Sequence, residues 1–172
     1  MNHPLLADEI ISLPLDKGVK EVVNQLEQNI SRVHVEGLKG SSIALFLAHL
    51  VKSSSKSIVV LTSNQSTGEK LIGDLRYFLK FYSLDNNLRF YPSWDILPYE
   101  NLSPSLEIMA ERLEVLNLVK SNQVSLLVVP VDAFMQCVVP RMDLSNQTFS
   151  FAKGEVLERE YLETCLFDNG YS

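Results

Sequence analysis

Apolar and polar positions alternate along the chain with two different periods, and the period predicts the element. Over residues 15–30, Val19, Val22, Val23, Leu26 and Ile30 recur at three- and four-residue spacing between Glu21, Glu27 and Gln28, which predicts an amphipathic helix. Val33-His34-Val35 is a short β-branched run that predicts a strand. The tight loop Gly37-Leu38-Lys39-Gly40-Ser41-Ser42 then feeds an apolar helix over 43–51. Residues 57–62 are continuously apolar, as in a strand buried on both faces of a parallel sheet. Ser63-Asn64 is placed to cap a helix over 65–81. Asp85-Asn86-Asn87 is turn chemistry, and the short strand expected behind it, over 88–91, is stopped by Pro92. Ser103 reads as a helix cap with Pro104 at the first helical position and Glu107 in the first turn, the helix running to about Val119. A second apolar strand is expected over 124–129 and a short helix over 133–138. Strands alternating with helices predict an α/β fold with a doubly wound, mostly parallel sheet.

The pattern changes near Pro140-Arg141-Met142-Asp143. Beyond it, 147–151 alternates like a half-exposed strand, Lys153-Gly154 makes a turn, and 157–166 reads as an amphipathic helix. The expected organisation is an α/β domain over 1–143 and the beginning of a small α+β domain over 144–172, with the chain stopping inside it.

Composition narrows the function classes. With 172 residues, of which 46% are hydrophobic and 21% charged, the chain builds a core without disulfide or metal staples. Its net charge of −6 argues against nucleic-acid binding through bulk charge, which needs clustered Lys and Arg. Cys137 and Cys165 lie in apolar, helix-like stretches without CxxC spacing, and are expected as buried thiols in a reducing compartment. No apolar run reaches the roughly 18 residues of a membrane span, and Met1-Asn2-His3-Pro4 does not open a signal peptide. A cytoplasmic protein without a membrane partner is expected.

The glycine loop carries the most suggestive chemistry. A phosphate-binding loop needs G-x-x-x-x-G-K-[ST]: backbone amides cradle phosphate, the lysine reaches the terminal phosphates, and the hydroxyl holds magnesium. Here Gly37, Gly40, Ser41 and Ser42 are followed by Ile43 and Ala44 where the lysine and the hydroxyl should stand. Without them hydrolysis is not expected, leaving a tight turn or at most weak anion binding at the amides of 40–42. His3, His34 and His49 have no carboxylate or cysteine at ligand spacing, so no metal is expected. Neither Ser41 nor Ser42 sits in a G-x-S-x-G elbow. Asp95, Glu100 and Glu107 are better suited to capping and solvent exposure than to a catalytic cluster. Trp94 and Tyr99 offer rings for stacking a base, but their acidic surroundings favour anchoring in the core.

The glycine loop, the segment Trp94-Asp95-Ile96-Leu97-Pro98-Tyr99-Glu100 with Ser103-Pro104, the helix carrying Arg112-Leu113, and Leu127-Val128-Val129-Pro130-Val131 through Met135-Gln136 resemble the N-terminal part of the bacterial transcription-repair coupling factors (Mfd). The stretch Trp94 to Pro104 is the most specific portion. The resemblance implies a module similar to the first part of the excision-repair protein UvrB, a P-loop helicase-type fold in which the coupling factors' copy is degenerate, as Ile43 and Ala44 fit. It implies no catalytic residue and no cofactor for this chain, ATP and magnesium belonging to a translocase elsewhere in the full protein. Expected partners are UvrA, through the inserted small domain with contact residues beyond Ser172, and the other domains of the same protein. RNA polymerase and DNA are expected only through domains not in this chain. The long aromatic hairpin with which UvrB grips DNA has no room between Pro92 and Pro104. The implied role is a non-catalytic scaffold in nucleotide excision repair. The alternative is a nucleotide- or DNA-binding helicase-type domain with a divergent phosphate loop.

Overall fold

A computed structural model of the chain describes residues 15–28, 32–96, 102–146, 148, 152–154, 156 and 158–168. The chain divides into two compact units, Met1–Gln136 and Cys137–Ser172. The first runs through α1 (Leu15–Glu27), α2 (Ser42–Ser53), β1 (Ile58–Thr62), α3 (Gln65–Lys80), a 3-10 turn (Asp85–Asn87), β2 (Leu88–Phe90), α4 (Leu106–Lys120), β3 (Leu126–Pro130) and α5 (Val131–Phe134). The strands form a parallel sheet in the order β1-β3-β2, with Ile58 and Leu88 both level with Leu126. This is an α/β fold, as the alternation of periods predicts.

The order of the strands decides where the helices go. The chain passes through α3 on its way from β1 beyond β3 to β2, and returns through α4 from β2 to β3. Because the direction across the sheet reverses, right-handed crossovers put these helices on opposite faces. Burial along β3 agrees. Leu126 and Val128 pack with Ala44, Ala48 and Val51 of α2 and Leu75 and Leu79 of α3, whereas Val129 and Leu127 pack with Val115 and Leu116 of α4. α1 forms an outer layer on α2, with Val19, Phe46 and Leu50 at its centre. Gly68 lets α3 approach the sheet: a Cβ there would lie 2.6 Å from the Phe90 ring, closer than packed atoms tolerate.

Four expectations need correction. The run Val33-His34-Val35 forms no strand; residues 32–39 have no regular structure. β1 is not buried on both faces: Val59 and Leu61 are 54% and 51% exposed, because α4 crosses only between β2 and β3 and leaves that side of β1 uncovered. The cap of α4 is Ser105 and not Ser103. The Ser105 side chain accepts from the Ile108 amide at 3.4 Å, while its own amide is held by the Asp95 carboxylate at 3.2 Å, which keeps it outside the helix. Finally, neither cysteine is buried: Cys137 is exposed, lying past the end of α5 at Phe134, short of the 138 expected, and Cys165 is only partly buried. By contrast Asn64 caps α3 as its sequence predicts, its Oδ1 accepting from the amide and the hydroxyl of Thr67, both at 2.9 Å.

The second unit holds α6 (Arg141–Asn146) and α7 (Arg159–Asp168), with a turn at Lys153-Gly154. α7 is supported by an Arg159–Glu163 pair at 2.6 Å, one helical turn apart. The strand expected over 147–151 lies outside the described residues except for Thr148, which is in no strand.

Candidate functional site

The loop before α2 takes its shape from two glycines in the left-handed region, Gly37 at φ 85° and Gly40 at φ 55°. The Ser42 amide donates to the Lys39 carbonyl and the Ile43 amide to the Gly40 carbonyl, both at 3.2 Å. The Ser42 hydroxyl turns back on the same turn, accepting from the Lys39 amide at 2.7 Å and donating to the Lys39 carbonyl at 2.8 Å. Three amides, those of Lys39, Ser42 and Ile43, and the Ser42 hydroxyl are therefore engaged in closing the turn. Ser41 precedes the helix without a capping bond from its side chain. Ile43, where a phosphate loop has its lysine, is 39% exposed, and Ala44, where it has its magnesium hydroxyl, is 0% exposed within the α2–α3–sheet core. A methyl group in the core occupies the position at which metal chemistry would be done.

The segment behind β2 is built differently. Arg112 of α4 is 2% exposed, and its guanidinium lies 4.2 Å from the Tyr91 ring centre and 4.0 Å from that of Trp94. Its Nη1 donates to the Pro92 carbonyl at 2.6 Å. A cation held between two aromatic faces and one carbonyl has desolvation offset by ring quadrupoles and a charge-assisted hydrogen bond. Burial lowers the Arg112 pKa, opposed by Tyr91. Burial likewise raises the Tyr91 pKa, opposed by the guanidinium. Asp95 ties the far end of the segment, its two carboxylate oxygens 3.2 and 3.3 Å from the Ser105 amide. Ser105, through its side chain first and its amide second, holds the Asp95 carboxyl below the usual carboxylate range. At the near end, the Ser93 amide donates to Gln65 of α3 at 3.0 Å.

Hydrogen bonds and ring contacts among the described residues thus join Trp94 and Asp95 to Tyr91, Pro92, Ser105 and Arg112, and none joins them to 37–44. Ser103 is exposed and Pro104 partly buried. Leu97, Pro98 and Tyr99 lie outside the described residues, as does Glu100 of the imagined carboxylate cluster. The role of Arg112 was visible in principle: Ile108, Arg112 and Val115 follow one another at helical spacing, so the arginine stands in the buried stripe of α4. Among the described residues no group of three or more His, Cys, Asp and Glu is placed to hold a metal. His34 pairs with Glu36 at 3.1 Å on the surface, and buried His49 lies edge-on to Tyr82. No described helix is long and apolar enough to cross a membrane.

No protein-family model matches the chain. Curated relatives do. The chain is 26% identical over 152 residues to the transcription-repair-coupling factor of Bacillus subtilis, covering 88% of this chain and 13% of the relative. It is 28% identical over 134 residues to that of Escherichia coli, covering 78% and 11%, and 28% identical over 154 residues to that of Myxococcus xanthus, covering 88% and 13%. The chain is thus similar, over most of its length, to a stretch spanning 11% to 13% of the length of these transcription-repair coupling factors.

Proposed function

We propose that this chain is a non-catalytic, cytoplasmic scaffold module of a transcription-repair coupling factor in nucleotide excision repair. It serves UvrA recruitment and intramolecular regulation of an ATP-dependent DNA translocase located elsewhere in the full protein. The observation that carries the non-catalytic part is Ala44: the position of the magnesium hydroxyl is a fully buried methyl packed in the α2–α3 core. The Ser42 hydroxyl bonded back to Lys39 and the irregular 32–39 segment support the same reading. A phosphate loop works by presenting free amides and a lysine from a rigid strand-to-helix turn.

The residues present do not fit ATP and magnesium, and no step is assigned to them in this chain. The second unit is the region proposed to lead toward UvrA, as the start of the inserted domain. RNA polymerase and DNA are contacted through other domains of the parent.

Calorimetric titration with ATP and magnesium tests the first claim. No saturable heat is expected, from the native chain or from Ile43→Lys. Micromolar binding would overturn the scaffold reading in favour of a helicase-type nucleotide-binding domain. UvrA titrated against this chain and against one lengthened beyond Ser172 along the family sequence tests recruitment. Binding confined to the longer form supports it, and binding to neither overturns it.

A further inference from the structure

Glu69, Ile72 and Arg76 follow one another on α3 at three- and four-residue spacing and so share one helix face. Ile108 and Glu111 do the same on α4. Together with Gln65, Phe90 and Pro92, these residues line a groove of about 350 Å³ beside β2, the edge strand of the sheet. Its floor is apolar, with Ile72, Phe90 and Ile108 each partly buried, while Glu69 and Glu111 stand exposed on opposite walls. Neither carboxylate forms a salt bridge among the described residues. Glu69 is oriented by the Gln65 amide, which donates to it at 2.9 Å. Glu107, one turn before Glu111, extends the negative wall. Arg76 lies about 10 Å along α3 from Glu69, at a rise of about 1.5 Å per residue. The groove therefore has a negative end and a positive end over an apolar floor.

We propose that this groove docks a basic segment of a partner protein, with a Lys or Arg between Glu69 and Glu111 and apolar side chains on Phe90 and Ile108. Long basic side chains are suited to such a site, because their methylene stems cover apolar surface while the charged head stays at the rim. Two unpaired carboxylates repel a phosphate backbone, which disfavours nucleic acid. A net charge of −6 sets two copies of the chain against each other. A neutral apolar ligand would strip water from the carboxylates and return nothing to them. Arg76 fixes the direction, since it repels a second positive charge at its end. The inference is independent of the scaffold reading, for the groove uses none of residues 37–44.

The test is NMR titration of the whole chain with a twelve-residue peptide alternating Leu and Lys, beside matched Leu/Glu and Ser/Lys peptides. Saturable shifts centred on Ile72 and Ile108 are expected with Leu/Lys alone. The joint variant Glu69→Gln, Glu111→Gln, with both side chains exposed and its fold checked by the unchanged remainder of the spectrum, is expected to weaken binding roughly tenfold, as loss of complementary rim charges does. No saturable shift at Ile72 and Ile108, equal shifts with the Leu/Glu peptide, or undiminished affinity in the variant would overturn the proposal. So would the same groove shifts produced by single-stranded DNA or by raising the protein concentration alone.

Discussion

The glycine loop before α2 and the tryptophan segment after β2 invert what their sequences advertise. The loop carries the spacing of a phosphate site, yet the Ser42 and Ile43 amides and the Ser42 hydroxyl close on Lys39 and Gly40 and a core methyl, Ala44, stands where such a loop has its metal-binding hydroxyl. The tryptophan segment carries no catalytic pattern, yet it surrounds a buried cation, Arg112 between Tyr91 and Trp94. The difference teaches that a glycine spacing specifies a backbone turn and not the chemistry, which lies in the side chains that follow it. A buried charge is tied to its surroundings, since removing any neighbour leaves a desolvated group unpaired.

The sharpest test of the contrast is Arg112→Ala. It removes the donor to the Pro92 carbonyl and empties the space between two rings. A loss of about 3 kcal/mol of stability is expected in urea unfolding, combining an orphaned carbonyl with lost cation–π contacts. A loss below about 1 kcal/mol would show that the cluster is not a structural keystone. On the loop side, Ala44→Thr forces extra volume and a hydroxyl into the core. A cost of about 2 kcal/mol is expected, with no gain in nucleotide affinity, and an unchanged midpoint would mean the pocket has room after all.

Two pH effects follow. Tyr91 has its pKa raised by burial, so its contribution is fully present below the unfolded value of 10.0 and is lost as pH rises through the folded one. Ultraviolet titration is expected to show a late tyrosine phase that Tyr91→Phe removes. Asp95 is shifted the other way, so its contribution is present above the ordinary value of 3.8 and is lost as pH falls through the lower folded value. Asp95→Asn is expected to flatten the acid limb of a stability-against-pH curve, and an unaltered limb would remove Asp95 as the tie to Ser105. The smallest effect belongs to Ile43→Lys. At a position this exposed, stability is expected to move by no more than about 0.5 kcal/mol, and a larger change in thermal unfolding would show that the isoleucine packs more than its exposure implies.

Local chemistry was legible where it is closed within a few residues. Asn64 caps α3 because its side chain needs only the amide three positions on, and α1 follows from the spacing of its valines. The cap of α4 was misplaced because the group that decides it, Asp95, lies ten residues away. The run 33–35 has the β-branched composition of a strand, but composition supplies no neighbour to pair with. The apolar run of β1 matched a strand covered on both faces, while its actual cover depends on which strands α4 spans.

For the candidate site, the sequence showed by itself what was missing from the glycine loop, since a lysine and a hydroxyl are present or absent at Ile43 and Ala44 whatever the fold. It also determined the alternation of elements and the acidic balance, because periodicity and charge are properties of the chain alone. Only the tertiary structure decided that Ala44 is core, that Arg112 lies between Tyr91 and Trp94, and that Glu69 and Glu111 line one groove with Ile72, Phe90 and Ile108. Each of these joins residues from different elements, and the desolvation and charge complementarity that give them meaning do not exist until those elements pack.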